Sequence, residues 1–102
     1  MTYIAINRAT IQSESAAEFE RIAAEWLRGE RARLPNEELL SRQLVRADGG
    51  REYAVISVWA SKEVHDRHED GPAEREGLRL LAPHLAGRPE QFTGEVVLDV
   101  RS

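Results

Sequence analysis

Apolar and polar residues alternate over residues 3–11, which predicts a strand with Ile4, Ile6 and Thr10 on one face and Tyr3, Ala5, Asn7 and Ala9 on the other. The period then changes. Ala16, Phe19, Ile22, Ala23, Trp26 and Leu27 recur at helical spacing and cover one face, so Phe19 and Trp26 read as core. Ser13 and Ser15 offer N-caps, and Ser15-Ala-Ala-Glu18 has capping-box spacing. The helix is expected to stop near Gly29 or within the polar stretch 30–33.

Residues 39–46 and 52–59 read as two strands joined by Asp48-Gly49-Gly50, a strong hairpin signal. The second of them, Tyr53-Ala-Val-Ile-Ser-Val-Trp59, is apolar on both faces. Ser61 is placed to cap a short helix through Glu69, Asp70-Gly71 breaks it, and Pro72 suits the first turn of another helix that Pro83 ends. After Gly87-Arg88-Pro89, a last strand is expected over 92–100. With right-handed crossovers, this order gives an α+β, ferredoxin-like fold: a four-stranded antiparallel sheet with helices on one face. The doubly apolar strand then needs cover on the open face. A second copy of the sheet is the simplest cover, so a homodimer is expected.

Composition narrows the chemistry. A chain of 102 residues makes one domain and buries roughly 60–68% of its unfolded surface. The absence of cysteine excludes disulfides, thiolate metal sites and a cysteine nucleophile. No apolar run approaches the ~20 residues of a membrane span, and residues 1–8 do not resemble a signal peptide, so the expected location is the cytoplasm. The net charge of −4 disfavours nucleic acid as a partner.

The order of elements, the hairpin and the stretch Ile56-Ser-Val-Trp59-Ala-Ser61-Lys-Glu resemble the antibiotic biosynthesis monooxygenase superfamily, whose members are dimeric α+β barrels. Pro35-Asn36-Glu37 stands where these proteins commonly carry Pro-Gly-Phe. In the haem-degrading branch the resemblance matches Asn7 to the first-strand Asn, but puts His68 at the Trp position and Leu78 at the haem-ligand position. Leu cannot bind iron, so that branch is disfavoured. Against the cofactor-free oxygenases of anthrones and quinols, Trp59 and Arg79 match, Val55 replaces an Asn and His65 replaces a Tyr. In that chemistry the deprotonated substrate reduces dioxygen itself, so the resemblance implies no metal, flavin or other cofactor.

Each candidate also has a plainer role. Asn7, between Ala5 and Ala9, could donate to a phenolate or enolate oxygen, or simply pair within the sheet. Val64, His65 and His68 lie within an arc of about 100° on one helix. A neutral imidazole there could take a proton from a substrate, or serve as a polar spacer on a half-buried face. His65, His68 and Glu69 also suggest a two-His, one-carboxylate metal site, although His-x-x-His falls short of the i, i+4 spacing a helix favours. Trp59 suits a cavity wall that stacks on a flat molecule, or core packing. Arg79 matches by family position, but its helix face points it to solvent.

Two functions follow. One is a small cofactor-independent monooxygenase acting on a planar phenolic, quinol or anthrone-like compound, with Asn7, His65 and His68 catalytic and Trp59, Val55 and Arg79 binding substrate. The other is a non-catalytic dimer binding a small aromatic or hydrophobic molecule. RNA-recognition motifs share the element order, but Val55 stands where a stacking aromatic is required.

Overall fold

Four strands form one antiparallel sheet in the order β2-β3-β1-β4, with β1 Tyr3–Thr10, β2 Leu39–Arg46, β3 Glu52–Trp59 and β4 Glu90–Glu95. The structure is a computed structural model and describes residues 1–69 and 71–101. Asp70, expected at a helix break, and the Ser13 side chain, an expected cap, lie outside the described residues. Among the described residues, three α-helices accompany the sheet: α1 Ala16–Arg33, α2 Lys62–Glu69 and α3 Pro72–Leu81. This is the expected ferredoxin-like order.

Local chemistry explains most of the boundaries. Gly50 takes φ +77° in the β2–β3 turn, a conformation favourable to glycine, and its N–H donates to the Ala47 carbonyl at 2.9 Å. Ser61 caps α2 through Oγ, which accepts from the Val64 N–H at 3.2 Å. Pro72 opens α3. The expected capping box at α1 does not form. A 3-10 turn over Ser13–Ser15 leads straight into the helix, leaving Ser15 at φ −103°, ψ 2° with no side-chain cap, and Arg21 engages Glu18 instead. Past Gly29, α1 continues to Arg33.

The last strand is shorter than expected, ending at Glu95 rather than running to residue 100. Glu95 pairs with Tyr3, and the Val96 N–H makes a final bond to Thr2. The ladder ends where its partner does. Val97, Leu98 and Val100 therefore remain exposed despite their strand-like composition.

The sheet's two faces differ as the pattern of β3 predicts. Tyr3, Ala5, Tyr53, Ser57 and Trp59 are buried on the helix side, while Ile4, Ile6, Ile56 and Val58 are half-covered on the other and Phe92 is 64% exposed. The core is split. One cluster gathers Tyr3, Ala5, Leu39 and Trp59; the other gathers Ile11, Phe19, Ala23 and Tyr53. A cavity borders the second of them through Phe19 and Tyr53.

Candidate active site

The inward faces of β1 and β3 set the floor of the cavity. Asn7 pairs with Val55 and Ala9 with Tyr53 across the ladder, so small and medium side chains meet where larger ones would fill the space. Phe19 and Trp26 of α1 and Leu78 and Leu81 of α3 supply walls around a volume of about 290 Å³. Five charged residues, Arg8, Arg42, Glu69, Glu74 and Glu90, also reach this lining.

Arg42 is inward because β2 contains an irregularity. Leu39 opposes Trp59, but Ser41 opposes Val58 and Arg42 opposes Ser57, so the phase of the strand shifts by one residue after Leu39. The guanidinium donates through Nε to Ser57 Oγ at 2.9 Å and through Nη1 to Glu30 Oε1 at 2.7 Å. Its carbon lies 5.8 Å from the Trp26 ring centre and 5.6 Å from that of Trp59, within cation–π reach of both. Arg42 and Glu30 form a buried ion pair, with side chains 8% and 4% exposed.

Glu74 stands at the edge of this pair, 3.7 Å from Arg42 Nη2. Burial pushes its carboxyl up to about 7, and the neighbouring Glu30 carboxylate adds to the effect against the opposing pull of Arg42. On the same helix, Gly77 lets the indole of Trp26 approach. A Cβ at residue 77 would lie 2.1 Å from Trp26 Cε2. Trp26 Nε1 donates to the Ala73 carbonyl at 3.1 Å and fixes the ring against α3.

The expected site residues divide into three places. Asn7 and Val55 line the cavity. Trp59, His65 and His68 form an aromatic group elsewhere, and neither imidazole is among the cavity's lining residues. His65 is buried against Tyr3 and Trp59, with ring centres 5.1 and 5.7 Å apart, and donates through Nδ1 to Asp66 at 3.0 Å. His68 stacks on Trp59 at 5.6 Å and donates through Nε2 to Glu38 at 3.0 Å. The expected meeting of these imidazoles with Asn7 is thus corrected, because docking α2 by Val64 packs them around Trp59. Trp59, 2% exposed and engaged by His68 and Arg42, offers no ring face to a flat molecule. Arg79 projects into solvent and pairs with Glu76 at 2.6 Å, also away from the cavity.

The metal reading changes too. Among the described residues, the ligand atoms that approach one another, all within 4.8 Å, belong to His65, Asp66 and Glu69, and His68 is not one of them. Lys62 already pairs with Asp66 at 2.7 Å and, with His65, holds that carboxyl below its ordinary range.

Glu30, Arg42 and Glu74 escaped the sequence reading. Two left a signal there. Glu30 continues the stripe of Phe19, Ala23 and Leu27, and Glu74 shares one with Gly77, Leu78 and Leu81. Arg42 left none, because strict alternation from Leu39 would point it outward.

Comparison with known proteins agrees with this architecture. A family model described as antibiotic biosynthesis monooxygenase matches residues 2–79. No curated protein matches. A candidate antibiotic biosynthesis monooxygenase from Caulobacter crescentus superposes with a TM-score of 0.82 at 23% identity, covering 95% of this chain and 91% of that one. A Mycobacterium tuberculosis protein superposes at 0.80 and 16% identity over 100% of both chains. SnoaB, a cofactor-independent oxygenase from Streptomyces nogalater, gives 0.73 at 24% identity, covering 95% and 96%. At these identities the structural likeness establishes the fold. Among the described residues, no helix is long and apolar enough to cross a membrane.

Proposed function

The chain belongs to the antibiotic biosynthesis monooxygenase family, and within it we propose a small oxygenase that oxidises a planar phenolic, quinol or anthrone-like compound with dioxygen and without a cofactor. The observation that carries this reading is the cavity over Asn7 and Val55. At about 290 Å³ it lies just below the roughly 300–1,000 Å³ usual for ligand sites and suits one small molecule. Its walls of Phe19, Trp26, Leu78 and Leu81 are apolar, and the Asn7 carboxamide supplies a donor at the floor. The likeness to SnoaB supports oxygenation in particular.

For an anthrone-like compound, the balanced reaction converts one ring methylene and one dioxygen into one ketone and one water. Loss of a proton leaves an electron pair delocalised onto the substrate oxygen, where a carboxamide N–H stabilises the developing charge. The carbanion passes an electron to dioxygen, and the resulting pair combines to a peroxide. A second C–H proton then leaves as the O–O bond breaks, forming the ketone and water. All oxidising equivalents come from dioxygen.

Oxygen uptake with a panel of hydroquinones and anthrones tests the reaction. Asn7→Ala is expected to lower turnover about 10–100-fold, below the ~10²–10³ found for a fully preorganised oxyanion donor. Thermal stabilisation by these compounds with no oxygen uptake would replace this reading by the ligand-binding one. The proposal includes a second copy of the chain on the open sheet face, where Ile4, Ile6, Ile56 and Val58 form an apolar surface around exposed Phe92.

A further inference from the structure

With both imidazoles outside the cavity, the proposed reaction lacks a proton acceptor among the residues first considered. The polar corner of the cavity holds one. Glu30, Arg42 and Glu74 bring two carboxyls and one guanidinium together, with the first two side chains buried and Glu74 only 24% exposed. If both carboxyls were ionised, this corner would carry a net negative charge where water provides little screening. Arg42 satisfies Glu30 at 2.7 Å and stands at 3.7 Å from Glu74, beyond hydrogen-bond distance. The neighbouring Glu30 raises the proton affinity of Glu74 further. Glu30 Oε2 is buried and meets no donor among the described residues. Glu69 of α2 adds a further negative charge near Glu74.

Glu74 also has a distinctive position. It lines the cavity containing Asn7, and it lines a second hollow bounded by Arg67, His68 and Gly71. One residue therefore borders both the proposed substrate site and a separate space on the α2–α3 side.

We propose that Glu74 is the group that accepts a proton from the weak C–H or O–H acid bound in the cavity, with Glu30 as its positioning residue. The inference rests on the cavity being the substrate site. In the step, the substrate C–H or O–H bond breaks, its proton moves to a Glu74 carboxylate oxygen, and the electron pair stays on the substrate facing Asn7. No oxidant takes part. Arg42 pairs with Glu30 beside Glu74, and the raised proton affinity of Glu74 makes its carboxylate, the form present above about pH 7, the stronger base.

Because no oxidant is needed, proton transfer is measurable apart from oxygenation. Anthrone held under argon is titrated into the protein, and the absorbance of its anion is followed from pH 5 to 9. The wild-type protein is expected to generate the anion with a midpoint near 7, where the Glu74 carboxyl titrates. Glu74→Gln should bind anthrone, read as thermal stabilisation, yet lose at least 10-fold in anion formation. Glu30→Gln removes the like charge and should move the midpoint to lower pH, which a merely structural role would not do. Glu76→Gln, on the exposed side of the same helix, should leave the profile unchanged. Undiminished anion formation in Glu74→Gln overturns the inference while leaving the oxygenase reading intact. Anion formation without oxygen uptake in air upholds Glu74 and removes oxygenation. Failure of the wild-type protein to bind or ionise anthrone or a hydroquinone overturns the inference.

Discussion

At the scale of single residues, the chain's most unusual commitment is a buried guanidinium held by two carboxyls. Removing one member of a buried ion pair leaves an uncompensated charge, which typically costs about 3–5 kcal/mol. Arg42→Ala is therefore expected to lower stability by that order in urea denaturation, against roughly zero to 0.5 kcal/mol for a surface change. Glu74 makes a second, opposite signature in pH. Its carboxyl is raised from 4.5 to about 7, so the fold favours the neutral form. The stability this contributes is fully present below about pH 4.5 and is lost as pH rises through about 7. Glu74→Gln, which keeps the neutral shape, should flatten the stability profile between pH 5 and 8. An unchanged slope would show that another group titrates there.

At the scale of elements, the phase of β2 and the contact between α1 and α3 decide where chemistry is possible. One extra residue after Leu39 turns Arg42 from the open face to the helix face. Nothing in Leu39-Leu40-Ser41-Arg42 marks the shift, since bulges are set by how a strand fits its neighbour rather than by its own alternation. The α1–α3 contact is legible in part. Trp26 and Gly77 both fall on apolar helix faces, but their mutual approach is visible only once the helices are packed. That approach reverses an ordinary rule. Gly→Ala inside a helix usually gains up to about 1 kcal/mol, yet at residue 77 the new methyl would overlap the Trp26 indole. Overpacking of this kind costs about 1–3 kcal/mol, so Gly77→Ala should lower the melting temperature and disturb the cavity wall. A rise in melting temperature would mean that Trp26 moves aside without loss.

At the scale of the whole molecule, the sheet exposes an apolar face that the helices do not cover. The expected state is two chains, giving twice the chain mass by light scattering at micromolar concentration. Ile56→Glu or Phe92→Glu, placing charge on that face, should shift the population towards single chains. A single-chain mass for the unmodified protein would remove the homodimer. Periodicity, turn chemistry and element order were enough to determine the sheet, its strand order and the apolar character of both its faces. These depend on local spacing: every second residue in a strand shares a face, and glycine, proline and serine mark the breaks. Asn7 and Val55 were likewise legible as neighbours of a space, because Ala5 and Ala9 are small. Only tertiary packing separated His65 and His68 from that space and brought Glu30, Arg42 and Glu74 together beside it. Those three come from α1, β2 and α3, and their proximity depends on a strand bulge and a helix–helix contact, neither of which any local pattern encodes.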